Sequence, residues 1–182
     1  MSALFFFSSD YPLEEIKNPH YKTFSVNEAL AFGLELPDLV LNSKTIDRDK
    51  PDTILWSDLG IEIKIDPITR KVIDNGIADD FSIRTFETFS EIYTTKKYQA
   101  KLEWDVYSDG RAERVVEYIR KHMESAEELE IWHVWLSSYE VPNIRRVPIS
   151  LQDVTVKTLK SIEEADIFSE PLTHVCYAIK RI

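Results

Sequence analysis

Leu129-Glu130-Ile131-Trp132-His133-Val134-Trp135-Leu136 is the stretch whose reading decides the fold. Side chains alternate between faces along an extended segment. Leu129, Ile131, His133 and Trp135 therefore lie on one side, and Trp132, Val134 and Leu136 on the other. Both sides are largely apolar. An indole buries on the order of 150 to 250 Å², worth roughly 4 to 6 kcal/mol before conformational entropy is set against it. Two of them on a wetted strand would invite aggregation. The spacing predicts an interior strand, covered on one face by helices and on the other by the N-terminal half of the chain or by a partner.

Elements on either side of this strand follow from the same periodicities. Leu102, Trp104 and Val106 alternate with Lys101, Glu103 and Asp105, which predicts a strand with one wet face. Asp109 is the expected cap of a helix whose Ala112, Val115, Val116, Ile119 and Met123 share one side. After the Trp-rich strand come a polar connection through Pro142 and Asn143 and a strand at Arg146 to Leu151. Thr155 then caps a helix of about Val156 to Ala165, and a closing strand carries Val175, Tyr177 and Ile179. That succession, β-α-β-β-α-β, is the ferredoxin-like split βαβ pattern, with both helices on one face of an antiparallel sheet.

The N-terminal half is less regular. Ala3 to Phe7 reads as a buried first strand ending at the turn formers Ser8-Ser9-Asp10-Tyr11-Pro12, with Asp10 capping a turn over Pro12 to Ile16. Ser25 and Glu28 form a capping box for a helix of about Val26 to Phe32 that stops at Gly33. Residues 41 to 52 read as a loop and Thr53 to Trp56 as a short strand. Gly60 to Asp66 and Lys71 to Ile77 read as a hairpin, and Phe81, Ile83 and Phe86 hint at another strand, whereas Phe86 to Tyr98 carries no firm pattern. The expected class is therefore α+β: an antiparallel or mixed sheet with helices on one face. A ferredoxin-like part spans 99–182, and a part spanning 1–98 packs on it to make one compact unit.

Bulk composition narrows the function. The 182 residues, 43% hydrophobic and 30% charged with four glycines, are ordinary for a globular chain. The net charge of −10, from 32 acidic against 22 basic residues, disfavours duplex nucleic acid and anionic membranes and suits a basic partner. Cys176 is the single cysteine, so an intrachain disulfide is impossible and a reducing, cytoplasmic setting is expected. No apolar window approaches the roughly 20 residues of a membrane helix.

Candidate chemistry is sparse. Asp47, Asp49, Asp52 and Asp58 superficially suggest a calcium loop, but Pro51 and Asp52 stand where a ligand and a turn glycine are needed, so no metal is expected. Asp58 and Asp79-Asp80 sit at expected strand ends, where paired carboxylates could work as acid and base, although turns explain them equally well. His133 on the interior strand is a candidate base, yet a hydrogen-bonded core histidine is the commoner outcome. His174 and Cys176 share a strand face, but a free cysteine is usually a small buried hydrophobe. Four glycines leave no phosphate-cradling loop, nucleophile elbow or dinucleotide fingerprint, and no cofactor is expected.

Glu124, Glu127, Glu128 and Glu130 lead without an intervening base into the Trp-rich strand. They read either as a solvated turn or as a negative patch, anchored by Trp132 and Trp135, that steers a cationic partner. The expectation is a small acidic interaction protein, an inhibitor or immunity-type binder of a basic protein. The alternative is a metal-assisted hydrolase or other small-molecule enzyme using Asp58, Asp80 and His133.

Overall fold

The structure is a computed structural model that describes residues 3–59, 64–68, 73–86, 93–104, 106–135, 143–163 and 173–181. Its fold is α+β, and among the described residues it has a six-stranded mixed sheet, a separate two-stranded sheet and four helices. The chain divides into two compact units, Met1–Lys17 with Lys64–Ile182, and Asn18–Ile63.

In the larger unit the sheet is built from β1 (Ala3–Ser9), β4 (Ser82–Thr85), β5 (Tyr98–Glu103), β6 (Glu128–Trp135), β7 (Asn143–Ser150) and β8 (Thr173–Lys180), in the spatial order β4-β5-β1-β6-β8-β7. The Trp-rich stretch is β6, and Leu129 through Trp135 are all buried. Leu136 lies outside the described residues. β1 runs antiparallel to both β5 and β6, pairing Phe6 with Lys101 on one side and with Trp132 on the other. β5 and β6 are thus parallel to each other with β1 between them, and α3 (Asp109–His122) crosses from one to the other. β7 pairs in parallel with β8, and α4 (Val156–Glu163) makes that second crossover, as parallel neighbours require. The β-α-β-β-α-β succession is present as β5-α3-β6-β7-α4-β8, with the N-terminal strand inserted into it.

Both crossover helices pack on one face of the sheet. There Phe7, Ile83, Ala100, Leu102, Leu129, Ile131 and Ile179 meet Val115, Ile119, Leu159 and Ile162 in a continuous core. The second face carries a smaller cluster of Leu4, Phe6, Trp132, Val134 and Cys176, against which Phe86, Tyr93 and Ile144 pack. Part of the segment without a sequence pattern therefore covers the second face in cis. The two indoles of β6 divide between the faces: Trp132 joins this second cluster, while Trp135 lies beside His133, which stacks on Phe5.

Several local expectations are corrected. Ser108, not Asp109, caps α3, its hydroxyl accepting the Arg111 N–H at 3.3 Å, and Asp109 sits in the first turn where its charge favours the helix dipole. Pro12 to Ile16 forms no helical turn. Ser9 Oγ instead accepts the Tyr11 N–H, and Ile16 exchanges backbone hydrogen bonds with Ile83, so the segment runs extended to the sheet edge. Asp10 binds Lys96 rather than a helix terminus. Of the expected hairpin, residues 60–63 and 69–72 lie outside the described residues, and Ile73 N–H donates to Lys64 C=O at 2.7 Å between its flanks. The expected end of the last helix past Glu163 and the turn at Pro142 also lie outside them.

The smaller unit contains β2 (Tyr21–Phe24) antiparallel to β3 (Ile54–Ser57), with α1 (Val26–Ala31) and α2 (Asp38–Leu41). The capping box forms as the sequence implies: Ser25 Oγ accepts the Glu28 N–H at 3.2 Å, and Glu28 accepts the Ser25 N–H at 2.7 Å. Gly33, at φ +89, takes the left-handed conformation that ends α1.

Phe7, with no exposed surface and its ring 5.4 Å from that of Tyr118, ties the inserted strand to α3. Phe7→Ala should lower unfolding free energy by about 3 to 5 kcal/mol in urea titration.

Candidate functional site

Glu130 is an interior carboxylate. It projects onto the second sheet face, where one oxygen accepts from Ser8 Oγ at 2.7 Å, Thr94 Oγ1 at 2.7 Å and Trp132 Nε1 at 2.9 Å. Its other oxygen takes Arg146 Nη1 at 2.8 Å. Burial opposes the charge, but these four donors outweigh it and hold the carboxyl below its ordinary pKa. Arg146 reaches across from β7, stands 4.8 Å over the Trp132 ring and donates to the Tyr93 carbonyl at 2.9 Å. The network thus clasps the Tyr93–Thr94 segment to the sheet. Cys176 lies beneath it, buried, with its thiol pushed up to about 12 by desolvation and the nearby Glu130 charge. A thiol so protonated is no nucleophile.

The other acids expected at a binding patch are distributed differently. Glu124 and Glu127 are exposed, while Glu128, half-buried, holds Lys96 together with Asp10. Trp132 and Trp135 are interior rings, so they anchor the sheet and offer a partner no surface.

The candidate catalytic residues have separate surroundings. Asp80 accepts from Asn75 at 2.8 Å and from Arg111 at 3.4 Å. Arg111 is itself buried and bonds Asp74, Asn75 and the Val106 carbonyl, so this cluster fastens the start of α3. His133 is buried on the helix side, stacked at 4.5 Å on Phe5 and hydrogen-bonded to the Ile162 backbone, with Nδ1 meeting no partner among the described residues. Desolvation, reinforced by His174, drives its pKa down to about 4. Asp58 belongs to the smaller unit, where it meets His20 Nδ1 at 3.0 Å.

A groove of about 310 Å³ in the larger unit is lined by Tyr11, Pro12, Glu14, Tyr118, Lys121, His122 and Ser125. His122 Nε2 lies 2.9 Å from Ser9 Oγ, a pairing that would suit nucleophilic catalysis were the hydroxyl open. Ser9 is fully buried, and Lys121 is paired to Glu14 at 2.6 Å. The contact ties β1 to the end of α3.

The smaller unit is set apart by its exposed apolar side chains. Four of the eight exposed large apolar side chains among the described residues fall in it: Leu30, Phe32, Leu39 and Leu55. Phe32 caps α1 and is 53% exposed, its ring 5.1 Å from Phe24 and 5.9 Å from Trp56. Lys22 Nζ stands 5.7 Å from the Phe32 centroid and 5.6 Å from that of Trp56. Carboxylates flank this cluster along the chain: Asp52 accepts from Thr23 just before β3, and Asp58 follows it directly. Asn18–Ile63 holds eight acidic against four basic residues. Sequence reasoning missed these exposed side chains, although Asp52 and Asp58 around a Trp-bearing strand were legible.

Comparison with protein-family models, with curated proteins and with solved structures finds no match.

Two stability measurements test the interior groups. The unfolded chain protonates His133 near its ordinary 6.5 and the folded one near 4, so its stabilising contribution is complete above pH 6.5 and is lost as pH falls to 4. His133→Phe, which keeps the ring stacked on Phe5, should remove roughly 3 kcal/mol of that acid loss in denaturant titrations at the two pH values. Glu130→Gln should cost about 3 kcal/mol at neutral pH, because it replaces a charged acceptor of four hydrogen bonds by a neutral one.

Proposed function

We propose that this protein is a small acidic interaction protein that binds a basic protein partner, as an inhibitor or immunity-type binder does. The observation that carries this reading is that the smaller unit leaves Leu30, Phe32, Leu39 and Leu55 each exposed while holding a two-to-one excess of acid. Exposed apolar side chains amid like charge have the composition of a docking surface: aromatics supply anchoring area, and carboxylates steer the approach of a cation. In the larger unit, by contrast, the interior charged groups Glu130 and Arg111 are held by several hydrogen bonds each, which supports a scaffold role for them. The exposed Glu124 and Glu127 add to the negative field.

The test is affinity capture from the native cell at about 0.05 M and about 0.5 M salt, since screening over that range shortens the reach of exposed charges severalfold. One basic protein should be retained at low salt and released at high salt. The variant with Leu39→Ala and Leu55→Ala should retain less of it. Recovery of no protein at either salt, or of an acidic one, contradicts the reading.

A further inference from the structure

We infer that the Phe32–Trp56 aromatic pair is the seat for a lysine or arginine side chain of the partner, and that Lys22 occupies it while the partner is absent. This rests on the reading that the partner is basic and names where its cation is taken.

The geometry is that of an incomplete aromatic cage. Phe32 and Trp56 meet at an interplanar angle of 68°, so their faces form two walls, and Phe24 backs Phe32 at 5.1 Å. An ammonium within about 6 Å of a ring centroid is attracted by the ring quadrupole. Lys22 Nζ meets that condition for both rings at once. Strand register explains why: Lys22 pairs directly with Trp56 across β2 and β3, and Phe24 shares the face of Lys22 two residues on.

Lys22 is a weakly held occupant. It is exposed and, among the described residues, forms no ion pair, so ring contact alone positions its ammonium. Such contacts at exposed sites are small. Asp52 and Asp58, near the two ends of the strand that carries Trp56, instead bond the neutral Thr23 hydroxyl and the His20 ring. An incoming guanidinium can thus exchange for Lys22 on the rings while its neighbouring cations meet these carboxylates. Arg146 over Trp132 is the interior counterpart of this arrangement, but there Glu130 neutralises the cation and the ring is fully buried. Lys97 stands over the single ring of Tyr98, whereas Lys22 meets two rings at once and one of them, Phe32, is 53% exposed.

The experiment uses the full chain and a fluorescently labelled octa-arginine peptide, with octa-glutamine as control, followed by anisotropy at low and high salt. Lys22→Gln removes the competing cation and should tighten peptide binding about two- to fivefold beyond the gain from Lys44→Gln, which changes charge alone. Phe32→Leu keeps the apolar bulk but loses the ring. It should weaken binding about two- to fivefold and abolish the excess gain from Lys22→Gln in the double variant. If the peptide binds and is released by salt, yet Lys22→Gln matches Lys44→Gln and Phe32→Leu has no effect, the aromatic seat is wrong and the acidic reading stands. If octa-arginine binds no better than octa-glutamine at low salt, the reading of a basic partner falls and takes the seat with it.

Discussion

Seven consecutive buried residues, Leu129 to Trp135, impose the constraint on which the larger unit depends. A strand buried on both faces must be central in its sheet and must have a layer on each side. Helices α3 and α4 supply one layer through Val115, Ile119, Leu159 and Ile162. On the other face Phe86 and Tyr93 pack over the cluster beside Ile144 of β7, with the carboxylate of Glu130 as the fixing point. The centre of the sheet is completed by β1, whose Phe5 and Phe7 face the helices while Leu4 and Phe6 face away.

Placing Glu130 inside raises the stakes on polar satisfaction, because a buried charge without partners costs several kcal/mol. Four donors from four separate segments meet it: β1 through Ser8, the stretch before β5 through Thr94, β6 itself through Trp132, and β7 through Arg146. Desolvation opposes its charge, and the four donors outweigh that and favour the ionised form. Arg111 does the same at the start of α3, where Asp74, Asn75 and Asp80 converge on an interior guanidinium. Interior charges in the larger unit are structural locks. The smaller unit exposes Leu30, Phe32, Leu39 and Leu55 and carries twice as many acidic as basic residues.

Much of this architecture was legible because alternation and helical spacing are properties of the chain alone. β5, β6, β8 and the inner sides of α3 and α4 follow from apolar periods, and the Ser25–Glu28 capping box from a four-residue pattern. Neighbour order was not legible: nothing local in Ala3 to Phe7 says that it will part β5 from β6. Glu130 was read with Glu124, Glu127 and Glu128 as one acidic surface run. Strand parity puts it on the face of Trp132, and that parity was the overlooked signal. Asp10, read as a helix cap, became a partner of Lys96, which lies 86 residues away in sequence. The Phe24, Phe32 and Trp56 group was missed because three aromatics in short elements look the same in sequence whether they are core or surface.

Native-state hydrogen exchange of the β6 amides is the most direct test of the central constraint. The backbone of Ile131 to Val134, paired with β1 on one side and, through His133, with β8 on the other, should exchange only through global unfolding, with a free energy equal to that from denaturant titration. Exchange of these amides through low-energy local opening, as fast as that of Arg145 and Val147 on the edge strand β7, would contradict the account.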